Sequence, residues 1–500
     1  MTTLKSLNHL TLFLHSIAAT DDAEYGLAQT EAGPRLAILA KSADSLRGFE
    51  GDCSEQAGQT LFIGPTSPHN AAALRARLPW LKPRPLGLQT SAGLGDRMGL
   101  ATPGHVRAVR AVQSIGGSLA PIFAQQSIRE MTRTRRTPQQ VMDDATWGIF
   151  QEGWRGGVGA DADHLKTTAD MDACLAAGYT FFTIDPGEHV DNTAETASLA
   201  ELRKSIDTLP ADLQPSASGL ESRSFDVEGR LITFDAQTLL KAAVKYGRAV
   251  AYVAAMYQHL MHATGGWNCE LEVSVDETEL PTSHAEHVYI ASELRRLGVH
   301  WVSLAPRYIG RFEKGVNYIS PSGQIGDVVA FEADLAVHAS IARQFGPYKL
   351  SLHSGSDKFS VYPVAMRQTH GLVHLKTAGT SYLEALHTVA ALDPDFLREI
   401  YIFARERYET DKVSYHVSAQ LARAPLPQDV SDASLPGLLN QFDAREIFHV
   451  TFGSVLSEQN ADGTPRFHDR LMGLLRAHPE AYAANLERHF LQHLKPFVSQ

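Results

Sequence analysis

Short apolar runs that end in polar residues, each followed by a stretch with helical periodicity, recur along the middle of the chain. Eight runs have this form: Pro85 to Arg97, Pro121 to Ser127, Gly159 to Lys166, Phe181 to Asp185, Glu270 to Glu277, Trp301 to Arg307, Lys349 to Gly355 and Val373 to Gly379. Helix-like stretches such as Pro138 to Gly153 and His287 to Gly298 lie between them. Strands alternating with helices predict a parallel sheet. Eight of them predict a closed (β/α)8 TIM-like barrel of the α/β class. An open doubly wound sheet is the second choice, and the lack of a GxGxxG motif after the first strand disfavours its dinucleotide-binding form. Three pieces fall outside the repeat. Residues 1–84 form an N-terminal extension. Residues 186–266 form an insertion in the barrel (85–380), with a long helical pattern from Thr238 to His262. Residues 381–500 are mainly helical by pattern, including Phe396 to Ser414, and are expected to pack on the barrel or build part of its mouth.

Composition narrows the classes. The 500 residues carry 45 Lys plus Arg against 56 Asp plus Glu, a net charge of −11, which argues against a general polyanion or nucleic-acid binder. Apolar content of 44% with 21 Phe, 15 Tyr and 5 Trp argues against disorder. Three cysteines, Cys53, Cys174 and Cys269, make neither a disulfide framework nor a four-thiolate zinc site, and they fit a reducing cytoplasm. No apolar run is long enough to span a membrane. The run Leu10 to Ala19 faintly resembles a signal peptide. With only Lys5 before it, and with His9 and His15 beside or within it, it reads as ordinary folded sequence.

Strand alternation then locates candidate chemistry. In Glu270 to Asp276, Leu271, Val273 and Val275 share one face, while Glu270, Glu272, Ser274 and Asp276 share the other. In a barrel the second face points inward, where carboxylates are costly unless paired or bound to a cation. An edge strand with a solvated face is the plainer alternative. By the same logic Ser351 and His353 point inward, and His353 ends its strand before Ser354-Gly355-Ser356-Asp357-Lys358, whose small residues let backbone N–H groups approach a ligand. Asp161-Ala162-Asp163-His164 ends another strand; an adjacent acid and imidazole can divide proton transfer and metal binding between them. Such pairs are also common in surface loops, and a lone inward histidine is often a hydrogen-bonded core residue. Arg129 and Arg133 follow the second strand and Lys376 lies in the eighth, placed to meet a carboxylate or phosphate; Arg135 and Arg136 read as solvated loop. His284, His287, His370, His374, His387 and His416 are spare candidates, with His374 and His416 the reserves for a metal.

The segments GLGDRMGLATPGH (93–105), QSIREMTRTRRTP (126–138), VMDDATWGIFQEGW (141–154), GADADHLKT (159–167), FFTIDPGEHV (181–190), ELEVSVDETELPT (270–282), LAPRYIGRFEKGV (304–316) and LHSGSDKFSVYP (352–363) run through nearly the whole barrel. In them the chain resembles the tagaturonate epimerase family of uronate catabolism. It implies an isomerase that interconverts D-tagaturonate and D-fructuronate with a divalent metal (Zn, Mn, Fe, Co or Ni). DADH and LHSGSDKF are also similar to class II aldolases, although Ser354 stands where the first glycine of their phosphate loop would be. On this reading His164 and His353 bind the metal, with Glu272, His374 or His416 open as the third ligand. Asp163 and Glu272 transfer protons on opposite faces, with Asp185, Glu270 and Asp276 next in line. Ser127, Arg129, Asp185, Ser356, Asp357 and Lys376 contact the substrate, with Arg129 or Lys376 holding its carboxylate. An aldolase that releases its fragments, a neutral ketohexose 4-epimerase and a non-catalytic sugar-acid-binding barrel are the alternatives. The expected partner is a small sugar acid, and association into a homo-oligomer is left open.

Overall fold

In a computed structural model the described residues are 3–30, 33–266, 269–377 and 379–498. Eight parallel strands close into a barrel: β1 (Ser91–Gly93), β2 (Ala120–Ser127), β3 (Gly159–Leu165), β4 (Phe181–Ile184), β5 (Glu270–Val275), β6 (Ser303–Pro306), β7 (Lys349–Leu352) and β8 (Val373–Lys376). Neighbours in the barrel are neighbours in sequence, and β8 closes on β1 through His374–Ser91, Leu375–Ala92 and Lys376–Gly93. The ladders are shorter than the apolar runs because side chains take over the backbone groups at both ends. Before β1, the N–H groups of Leu86 and Gly87 donate to the Glu270 carboxylate. After it, Met98, Gly99 and Ala101 donate to Asp96. Ala378, in the last expected strand, lies outside the described residues.

Helices flank the strands where the periodicity places them. Pro138–Gln151 begins with Pro at its first turn and a capping box between Thr137 and Gln140; His284–Arg296 has another between Ser283 and Glu286. The chain before the barrel folds as a five-stranded antiparallel sheet, and Thr11–Ala19, within the run that faintly resembles a signal peptide, is its first strand. The segment between β4 and β5 holds a two-stranded hairpin and the helix Ala236–Thr264, capped by Asp235 and ended by Gly265 in the left-handed region. After β8 come mainly helices, among them Pro394–Asp411, Phe442–Val450 and Pro479–Leu494. The last packs on Thr102–Ser114, with Gly104 at the contact: a Cβ there would lie 2.5 Å from Leu486 Cβ. One continuous apolar core joins residues of the N-terminal sheet, the barrel helices and the C-terminal helices. No helix among the described residues is long and apolar enough to cross a membrane.

The barrel interior is polar. Glu270 plugs its N-terminal end, where it holds backbone N–H groups far from the strand ends that carry chemistry. Above it Lys349 donates to Ser91 Oγ (3.0 Å), which also pairs with His374 Nδ1 (2.9 Å). The C-terminal ends of β2, β3, β5, β7 and β8 supply the cleft described next.

Candidate active site

Adjacent strand residues should face opposite ways, yet Asp163 and His164 both line the cleft. The register of β3 against β4 shifts between Ala162 and Leu165, and His164 has φ +52°, in the left-handed region. A bulge of this kind re-aims side chains beside active sites. His164 Nδ1 lies 2.8 Å from Asp163 Oδ1, and its ring centroid is 4.9 Å from that of His353. His353 is held on both nitrogens: Nε2 is 2.6 Å from Glu272 Oε1 and Nδ1 is 3.1 Å from Asp276 Oδ1. His164 Nε2 is 3.8 Å from that same Asp276 oxygen. The ligand atoms of His164, Asp276 and His353 lie within 4.8 Å of one another, a set able to hold a cation.

Behind this triad, Lys376 Nζ lies 2.7 Å from Asp163, 2.8 Å from Glu272 and 2.9 Å from Asp161. Thr183 and Ser303 complete the network by donating to Asp161 and Glu272. Burial opposes charge on Asp163 and Glu272. Lys376, together with His164 beside the first and His353 beside the second, nevertheless holds both well below the usual carboxylate range. Burial and the neighbouring Asp163 and Glu272 push Asp161 up to about 6, against the pull of Lys376. The imidazoles show the same excess of negative charge. Burial disfavours their protonation, but Asp163, Glu277 and Asp276 raise His164 to about 10, while Asp276 and Glu272 raise His353 to about 9 against the repulsion of Lys376. A divalent cation between these groups would supply the balancing charge and leave the imidazoles neutral, the form in which they ligate.

The cleft is lined by Ser127, Arg129, Glu130, Asp163, His164, Asp276, Glu277, Lys314, His353, Ser354 and Lys376. Ser127 caps the helix Ile128–Thr134, accepting from Glu130 N–H. Arg129 pairs with Glu277 at 2.8 Å. Several expected residues sit elsewhere. Glu272 lies behind His353 and does not line the cleft, and Asp276 occupies the third place in the triad. His374 is in the barrel middle, pushed down to about 3 by burial, and His416 is exposed. Asp185 is buried beside Lys166, 3.6 Å away, and accepts from Gly187 N–H. Asp357 turns from the cleft to Arg445, His489 and His493 of the C-terminal helices, and Ser356 is buried with its carbonyl accepting from Lys358. Lys376 is surrounded by acids rather than free to meet one. Among the spare residues, Arg133 contacts Tyr415, Arg136 pairs with Asp144, and His284 pairs with Asp334. His287 bonds His338, while His387 lines a separate cavity. Glu277 and Lys314 were not singled out from the sequence. Glu277 follows Asp276 directly, so the polar strand end was its signal; Lys314 sits in a loop with no periodicity to mark it.

Known proteins agree with this architecture. A family model described as tagaturonate epimerase matches residues 13–497. The tagaturonate/fructuronate epimerase of Thermotoga maritima is 41% identical over 475 residues, covering 95% of this chain and 94% of its own. Crystal structures of the fructuronate-tagaturonate epimerase of Cohnella laeviribosi superpose with a TM-score of 0.91 at 36% identity. The native form covers 99% of this chain and 98% of its own, and a glycerol complex covers 99% and 97%.

Proposed function

The chain belongs to the tagaturonate epimerase family of sugar-acid isomerases, and from that premise we propose that it interconverts D-tagaturonate and D-fructuronate by cleaving and re-forming the C3–C4 bond. The two uronates differ at C3, whereas the ketone is at C5. The C3 proton is therefore not acidified by simple enolisation, while a retro-aldol step leaves a three-carbon aldehyde that can turn before the bond re-forms. The observation that carries this reading is the His164–Asp276–His353 triad opening into the same cleft as Asp163. Imidazole and carboxylate donors suit Zn, Mn, Fe, Co or Ni. His164, Asp276 and His353 would hold a divalent cation, which would supply Lewis acidity to the cleavage step.

The chain's own groups handle the protons. Asp163, ionised beside Lys376, accepts the proton of the C3 hydroxyl. After the aldehyde turns, its oxygen faces the other side, and we assign the acid there to Glu277, a cleft-lining carboxyl outside the triad whose resting partner is Arg129. Glu277 delivers a proton drawn from solvent, to which its side chain is 33% exposed, and Asp163 releases to solvent the proton it took. Glu272 is a positioning residue: it fixes His353 through Nε2 and shares Lys376 with Asp163.

The test is turnover in D2O with product NMR. Retro-aldol inversion keeps hydrogen at C3 and exchanges with added labelled dihydroxyacetone and tartronate semialdehyde. Deuterium at C3, or tightly bound NAD in active enzyme, would replace this mechanism. Accumulating free three-carbon products would favour the aldolase reading.

A further inference from the structure

Resting on the epimerase reading, we infer that Lys314, with Arg129 beside it, forms the subsite that takes the substrate's carboxylate. Lys314 lines the cleft and, among the described residues, has no hydrogen-bond or ion-pair partner. The other cations around the cleft are paired: Lys376 with three acids, Arg129 with Glu277, and Arg97 with Glu130. The strongest charged influences on Lys314 are Glu130, Arg129, Arg97 and Glu277, and the buried Lys358 repels it as well, so cations outnumber acids at this part of the cleft. Burial lowers the Lys314 ammonium below the ordinary lysine range, against the pull of Glu130. A partly desolvated ammonium without a counter-ion favours an incoming anion.

The loop that carries Lys314 is firmly held. Lys358, itself buried, donates to the carbonyls of Glu313 (2.5 Å) and Val316 (2.6 Å). Arg445 donates to the carbonyl of Gly315, and Ser418 donates through N–H and Oγ to the Glu313 carboxylate at 2.7 and 2.8 Å. Gly315 has φ +76°, and a Cβ there would come within 2.8 Å of His449. The backbone on both sides of Lys314 is therefore fixed, so its side chain leaves the loop at a defined point beside the cleft. The chemistry of the rest of the cleft sets the orientation. The acids around the triad repel a carboxylate and suit the ketone end, which leaves the carboxylate of an open-chain hexuronate for Lys314 and Arg129.

The experiment compares Lys314→Met with wild-type holoenzyme. It measures kcat/KM for D-tagaturonate and the inhibition constant of D-tagatose, which has the same chain without the carboxylate. Loss of one charged hydrogen bond predicts a fall of about 10- to 100-fold for the acid. D-tagatose binding and the melting temperature should stay at wild-type values, and Lys314→Arg should recover most of the loss. An unchanged kcat/KM for tagaturonate, or an equal loss for both sugars, overturns the subsite. If wild-type enzyme does not interconvert the uronates at all, the epimerase reading falls first, and the two failures are told apart.

Discussion

The ammonium of Lys376 lies within 2.9 Å of three carboxylates, and most of the site's charge balance turns on it. Asp163, directly at the cleft, and Glu272, behind His353, share that ammonium but differ in what they touch. Asp163→Asn should keep fold and bound metal while lowering kcat by about 10²–10⁴-fold. Glu272→Gln should lower metal affinity, and excess metal should restore much of its activity, because the residue acts through His353. A Glu272→Gln enzyme that keeps full metal and is still slow would return Glu272 to direct proton transfer. His164→Ala and His353→Ala should each lose the metal, read by elemental analysis, and a chelator should abolish wild-type activity. Full activity in metal-free protein would remove the cation from the mechanism.

At the scale of elements, one irregular strand and one tethered loop decide the site. The bulge in β3 turns two adjacent residues into the cleft, and the 313–316 segment is tied to the C-terminal helices by Lys358, Arg445 and Glu313. Glu446, on the helix Phe442–Val450, accepts from Ala419 N–H and is buried near Glu313. Burial, then the charge of Glu313, pushes it up to about 9. The folded protein therefore keeps a proton that the unfolded chain, with the ordinary glutamate value of 4.5, has already lost. Stability contributed here is complete below the unfolded value and falls as pH rises toward the folded one, with a limiting slope of ~1.4 kcal/mol per pH unit. Glu446→Gln, neutral throughout, should lose less melting temperature than wild type between pH 6 and pH 8.5, a window that lies between the two values. Parallel melting curves for the two proteins would show that Glu446 ionises freely in the fold.

Across the whole molecule, the C-terminal helices are part of the same core as the barrel. Pro479–Leu494 lies against Thr102–Ser114 at Gly104, where an added Cβ meets Leu486 Cβ at 2.5 Å and the Ala483 carbonyl at 2.9 Å. Neither atom is the far end of a flexible side chain. Gly104→Ala should therefore cost ~1–3 kcal/mol. Because the core is continuous, calorimetry should show a single unfolding transition moved to lower temperature. A separate early transition, with the barrel still folded and metal-loaded, would show that the helices are an independent unit.

The sequence by itself determined the barrel and the inward acids. Alternation along Glu270–Asp276 and Leu350–His353 is local, and a closed parallel sheet leaves its polar face nowhere to go but inside. It also marked His164, His353 and Asp163, because they stand at strand ends. Only the tertiary structure decided which of these residues meet. Asp276 completes the triad because β5 and β7 bring it to His353 across the barrel, 3.1 Å away, although the two are 77 positions apart in sequence. Lys376 reads in sequence as a free cation at the mouth, but it faces three acids from β3 and β5 once the barrel closes. Asp357 is drawn to Arg445, 88 positions further on. Lys314 lies in an aperiodic loop, where no pattern signals direction. Its place depends on contacts from the C-terminal helices, and these exist only in the folded chain.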